Sequence, residues 1–196
     1  MVSNMGNQPN TSKEELLKSI KTALRGTSIL LYWVFFAAYV PPAVILALGK
    51  MALSMPFSRG SGGEEAVGIF LIVFLIIDAC IIMYGAYSLR RGIADIGKYY
   101  NNQALIRGAT VQFILWILIV ILFPIAPFAI FPAGLEMERI SKTLYDITRI
   151  MDFDIARRRW RRLLYYTIFA TGGIRAPFAL YSTRKGFKEM IKQMAQ

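Results

Sequence analysis

The sequence predicts an all-α, helical integral membrane protein with about four transmembrane spans. Two observations carry that prediction. Hydrophobic residues make up 56% of the chain and charged residues only 18%, where soluble domains carry about 25% charged residues. The apolar residues also gather into long runs, joined by basic stretches in which apolar side chains recur at helical spacing.

The elements follow in order. Residues 1–11 are polar and read as a disordered tail. Ser12 and Glu15 have capping-box spacing. Leu16, Leu17, Ile20 and Leu24 then share one helical face, with Lys18, Lys21 and Arg25 opposite, which reads as an amphipathic helix at the membrane surface. Ile29–Leu48 is the first span; Pro41-Pro42 is expected to kink it or end it early. A loop with Pro56, Arg59 and Gly60-Ser61-Gly62-Gly63 leads to the second span, Ala66–Leu89, interrupted only by Asp78. A second amphipathic stretch follows, with Leu89, Ile93, Ile96 and Tyr100 on one face.

The third run, Ala109–Leu135, is longer than a bilayer needs and holds Pro124, Pro127 and Pro132. Either it tilts and kinks, or its second half turns back as a re-entrant segment. Residues 135–162 are charged, and Ile140, Leu144, Ile147, Met151 and Ile155 predict a helix outside the hydrocarbon. Leu163–Thr183, with Gly172-Gly173 and Arg175 inside it, is the weakest span. The last stretch separates Phe187, Met190, Ile191 and Met194 from Arg184, Lys185, Lys188 and Lys192.

An internal duplication organises these elements. Tyr-Ser-Leu-Arg-Arg-Gly-Ile-Ala-Asp-Ile-Gly-Lys from Tyr87 matches Tyr-Ser-Thr-Arg-Lys-Gly-Phe-Lys-Glu-Met-Ile-Lys from Tyr181. Arg25-Gly26 and Arg107-Gly108 pair more weakly, and Pro42 and Pro124 fall at the same offset. The expected division is therefore a two-span repeat over 12–100 and a second over 101–196, the latter carrying the charged amphipathic insertion 135–162. Parallel repeats place the termini on one face, expected to be cytoplasmic. The basic residues Lys13, Lys18, Lys21, Arg25, Arg90, Arg91, Lys98 and Arg107 agree with that orientation. Simple span counting puts 135–162 on the opposite side, whereas re-entrant third and fourth runs return it to the cytoplasm.

Lys and Arg total 23 against 12 Asp and Glu, a formal net charge of +11. In a membrane protein this points to anionic headgroups rather than nucleic acid. The chain has no histidine, which excludes His-ligated haem, zinc or copper and any imidazole base. Cys80 is the single cysteine, so no intrachain disulfide forms. There is no P-loop, no Gly-x-Ser-x-Gly and no second intramembrane carboxylate beside Asp78. The expectation is a non-enzyme without cofactor or metal.

The candidate site residues are charged groups in or beside spans. Asp78 near mid-span is costly in hydrocarbon and marks a transport group, a carboxyl that is protonated or paired with Arg175, or a contact with another subunit. Arg175 otherwise snorkels to the interface or pairs with a partner's acidic group. Arg157-Arg158-Arg159-Trp160-Arg161-Arg162, with Arg90, Arg91, Arg184 and Lys185, reads as contact to lipid headgroups or to a protein partner. Asp152 and Asp154 are placed to bridge Arg157 and Arg158. Tyr32, Tyr84, Tyr87, Tyr99, Tyr100, Tyr165 and Tyr166 read as interfacial aromatics.

Apolar spans followed by the Leu89–Ile96 segment, echoed over Arg184–Met190, resemble the small, uncharacterised multi-pass membrane protein families common in archaea. The resemblance covers the second half of each repeat; the long charged 135–162 segment departs from it. It implies a multi-pass helical fold and carries no activity.

Three functional expectations follow. The leading one is a non-catalytic accessory or scaffold subunit that packs against other membrane proteins or itself. The second is a small transporter or channel using Asp78 and Arg175. The third is a membrane-shaping protein with shallow helical hairpins, favoured if the third and fourth runs are re-entrant.

Overall fold

The structure, a computed structural model, describes residues 10–54, 62–121, 126–167 and 172–196. These residues are all-helical and contain no strand: α1 is Asn10–Ser54, α2 Gly62–Tyr99, α3 Gln103–Ile121, α4 Ala126–Thr148, α5 Met151–Thr167 and α6 Gly172–Ala195. The expected tail up to residue 9 and the Pro56–Ser61 loop lie outside the described residues.

Each helix packs on the next in sequence, and α6 closes back on α1. Named contacts give the direction. Gly92 of α2 approaches Ala23 of α1, Gly26 approaches Gly85 and Leu89, and Gly85 approaches Ile29 and Leu30, so the two helices run antiparallel. Gly97 lies against Leu105 and Ile106, and Gly108 against Glu136 and Ile140, which continues the alternation through α3 and α4. Arg184 of α6 donates to Ser28 of α1 at 2.9 Å. The result is an up-and-down ring of three hairpins, α1–α2, α3–α4 and α5–α6. The start of α1, the α2–α3 and α4–α5 turns and the end of α6 share one end, which holds the charged sequence. The last turns of α1, α3 and α5 and the first turns of α2, α4 and α6 share the other end.

Both turns at the charged end are tight for local reasons. After α2, Asn101 takes φ 51°, a left-handed conformation that Asn tolerates. The Asn102 amide N–H then donates to the Gly97 carbonyl at 2.7 Å, while the Asn102 side chain caps α3 by accepting from Leu105 N–H at 3.1 Å. After α4, Arg149 takes φ 59°, and Asp152 and Asp154 fill the first turn of α5, where the helix dipole favours negative charge.

Several expectations change. The amphipathic stretches are not separate helices lying flat on a membrane. They are continuous with α1, α2 and α6, and their apolar faces meet in the ring's interior: Ile20, Leu89, Ile93, Ile96 and Phe187 are fully buried. Each such side chain contributes about 1.5–3 kcal/mol by leaving water. Pro41-Pro42 does not end the first helix. The third apolar run does turn back, since α3 stops at Ile121 and α4 returns from Ala126. The 135–162 segment is two helices, because the positive φ at Arg149 breaks it. The break rotates the periodic face, leaving Met151 and Ile155 exposed while Ile150, Phe153, Ala156 and Trp160 are buried. That segment supplies the charged-end parts of α4 and α5, two of the six helices of the ring.

The matched segments keep equivalent environments. Tyr87 and Tyr181 are both exposed, Gly92 and Gly186 both buried, and Ile93 and Phe187 both fully buried. Asp95–Lys98 and Glu189–Lys192 form the same i,i+3 bridge, at 2.9 and 3.1 Å. The shared pattern thus encodes a descending helix seated on its neighbour, on α2 and again on α6.

Candidate membrane-facing site

Large apolar side chains are exposed on four helices of the apolar half. They include Phe35 on α1, Val73, Ile76, Ile77 and Ile81 on α2, Ile114 and Leu118 on α3, and Phe178 on α6. An exposed apolar surface of this extent marks an interaction with a membrane or another protein. Among the described residues, Gln103–Val120 of α3 is long and apolar enough to cross a membrane.

Tyrosines border this surface. Tyr32, Tyr84, Tyr87 and Tyr181 are about half exposed or more, on three helices. The helix pairing sets them within about two turns of one another along the bundle axis. Arg25 lies over the Tyr84 ring at 5.3 Å, and Arg90 over Phe113 at 5.5 Å. Tyrosine and basic residues at one level are the arrangement favoured between water and hydrocarbon. Tyr99 and Tyr100 differ: they stack edge-on at 5.1 Å at the charged end. There burial, with a smaller effect from Tyr99, holds the Tyr100 phenol above its usual range. The Tyr165 and Tyr166 side chains lie outside the described residues.

Most of the basic candidates are engaged by neighbouring side chains, although Arg158, Arg161 and Lys185 stay more than half exposed. Arg157 and Arg158 both bridge Asp154, at 2.7 and 2.5 Å, as their spacing predicts. Asp152 instead bridges Lys185 of α6 at 3.1 Å. Arg159 donates to the Phe178 carbonyl and to Ser182 at 3.0 and 2.7 Å. Arg161 donates to Glu138 of α4 at 2.7 Å. Trp160, expected as an interfacial anchor, is 3% exposed and donates to Thr183 at 3.2 Å. These residues therefore stitch α5 to α4 and α6. Arg91 and Arg162 remain exposed, available to headgroups. Sequence spacing shows cations all around α5; it does not show which side chains the neighbouring helices cover.

Asp78 accepts a hydrogen bond from Trp33 of α1 at 2.5 Å. Among the described residues α2 and α6 do not pack on each other, so the expected Asp78–Arg175 pair within one chain is replaced by the Trp33 contact. Arg175 is exposed on α6. Trp33 also meets Trp116 of α3 edge-on at 6.5 Å. With its amide oriented as its neighbours require, buried Gln112 donates to the Ala133 carbonyl at 3.2 Å and accepts from Trp116 at 2.5 Å. Sequence reasoning missed Trp33, Gln112 and Trp116, because a lone polar group in an apolar run shows no partner until the helices are placed.

Clefts lie at the charged end. One of about 610 Å³ runs between α1 and α2, lined by Glu15, Lys18, Arg91, Asp95, Lys98 and Tyr99. Another, of about 440 Å³, opens between the start of α1, the α2–α3 turn and the end of α6, with Leu16, Tyr100, Ile147, Met190 and Met194 in its walls. Among the described residues no cluster of carboxylate or thiol groups could hold a metal ion. Family models, curated proteins and solved structures give no match to this chain.

Proposed function

We propose that this chain is a non-catalytic membrane scaffold, embedded unequally in the two leaflets and thereby bending the bilayer. The observation that carries the reading is the exposed apolar half bordered by tyrosines, with the charged α2–α3 and α4–α5 turns at the opposite end.

Helix lengths past the tyrosine border set the depth. From Tyr32 to Ser54, α1 continues for roughly 33 Å at ~1.5 Å per residue, and α2 from Gly62 to Tyr84 is as long. That matches a hydrocarbon core about 30 Å thick. Phe113 of α3 touches Tyr87, ring to ring, at 6.2 Å, and α3 ends at Ile121, roughly 12 Å further on. The α6 helix extends from Tyr181 to Gly172, roughly 14 Å. One hairpin is thus long enough to span the bilayer, while the described parts of α3 and α6 reach only about half its depth. Six helices occupy the near leaflet and two the far one, so the near leaflet must spread. On this reading residues 135–162 share the near side with Lys18 and Lys188, and that side is cytoplasmic by its basic charge.

Purified full chain reconstituted into anionic liposomes should produce tubes or small vesicles in electron micrographs. Liposomes that take up the protein and keep their size would remove the shaping reading. The accessory-subunit reading is tested separately, by mild-detergent extraction from the native membrane and identification of stoichiometric partners. No observation favours the transporter reading, because the clefts among the described residues lie at the charged end and Asp78 is bonded to Trp33.

A further inference from the structure

We propose that two copies of this chain associate side by side through the face formed by α6, α1 and α2, Asp78 of each copy pairing with Arg175 of the other. The inference rests on the apolar layer proposed above.

The first argument is depth. Asp78 lies six residues beyond Tyr84 on α2, and Arg175 six residues beyond Tyr181 on α6, roughly 9 Å into the apolar layer in each case. A carboxylate at that depth costs several kcal/mol in lipid unless a charged or donor group meets it. The Trp33 bond occupies Oδ1, and a carboxylate has capacity for more than one donor. Arg175 is exposed. Its guanidinium carries five N–H donors, enough to keep contacts in its own chain and still reach a carboxylate.

The second argument is placement. In the ring α1 touches both α2 and α6, which do not pack on each other among the described residues. The two charges therefore flank α1. Asp78 lies on the α1 side of α2, since it bonds Trp33 of α1. Between the charges α1 presents Tyr32 and Phe35, which are 66% and 56% exposed. A two-fold axis along the membrane normal preserves depth and sets α2 of one copy against α6 of the other. One operation then forms both ion pairs around an aromatic centre, as a self-complementary interface requires. An unrelated helix would have to bring a cation to the same depth by coincidence.

The test uses full-length chains in liposomes, with subunits counted by single-molecule photobleaching. The parent should be dimeric. Asp78→Arg alone and Arg175→Asp alone should each weaken the dimer at least tenfold, because each homodimer then opposes like charges. Co-expression of these two variants under different tags should restore mixed dimers, since every contact between the unlike chains again pairs opposite charges. An inserted parent that is monomeric, single variants that stay dimeric, or a mixture without recovery would each overturn the proposal. Protease protection on the same liposomes separates failures: chain that does not insert refutes the membrane reading, whereas inserted monomer refutes only this pairing. If a reversal prevents folding, Asp78→Asn and Arg175→Gln take its place. The doubly neutral chain should then be no weaker a dimer than either single variant, and additive losses would sink the pairing.

Discussion

Gly92→Ala and Gly108→Ala should move stability in opposite directions, although both place the best helix former inside a helix. A methyl at Gly92 would sit 2.7 Å from Ala23 Cα and 2.6 Å from its Cβ, on the main chain of α1. Carbon atoms in contact prefer about 3.5–4.0 Å, so α1 and α2 must separate by about 1 Å. Overpacking of this kind costs about 1–3 kcal/mol. The Gly-to-Ala propensity gain returns about 1 kcal/mol. Because a backbone cannot rotate aside, the cost should fall at about 2–3 kcal/mol, leaving a net destabilisation of about 1–2 kcal/mol, or roughly 2–8 °C in Tm for a chain of this size. At Gly108 the nearest atoms are Glu136 Oε1 at 2.9 Å and Ile140 Cγ1 at 3.2 Å. The Glu136 carboxylate ends a flexible side chain that can turn, and Ile140 need give by only a few tenths of an ångström, so the propensity gain should leave Tm unchanged or raise it by a few degrees. The assay is helical circular dichroism against temperature for the full chain in mild detergent. A Gly92→Ala protein as stable as its parent would refute backbone contact between α1 and α2. Equal losses at both positions would refute the distinction between backbone and side-chain neighbours.

Other consequences can be read on the same preparation. Trp160→Phe should lower Tm by about 1 kcal/mol equivalent through loss of its buried hydrogen bond and leave liposome binding intact; unchanged Tm with weaker binding would restore the interfacial role. Asp154→Asn should cost about 1–3 kcal/mol, because a 3%-exposed carboxylate joins two guanidinium groups whose side chains are only partly covered. A melting curve identical to the parent's would show that the cluster is idle. In a Cys80→Ser chain, cysteines replacing Lys18, Lys142 and Lys188 should all react with a charged maleimide from one side of sealed vesicles. Labelling of the Lys142 position only from the opposite side would exclude the shallow α3–α4 hairpin.

The sequence alone determined what depends on composition and period. Apolar runs and helical spacing specify helices without reference to any partner, and the all-α architecture is what the structure shows. The Asp154 bridges were legible because i,i+3 and i,i+4 neighbours meet on any helix. So was the exposed placement of Tyr32, Tyr84 and Tyr87. What one helix presents to another was not legible. Whether Leu16 and Ile20 face a membrane or a protein core is the same pattern in sequence, and only the antiparallel seating of α1 on α2 and α6 decides for the core. The burial of Trp160, the bonds of Arg159 to α6 and of Arg161 to α4, and the Trp33 partner of Asp78 all join residues far apart in the chain. One backbone conformation, the positive φ at Arg149, divides the charged 135–162 segment and folds it back into the ring. Local chemistry fixes which segments are helices; the directions in which those helices return are fixed by packing, and packing has no signature within a single run of residues.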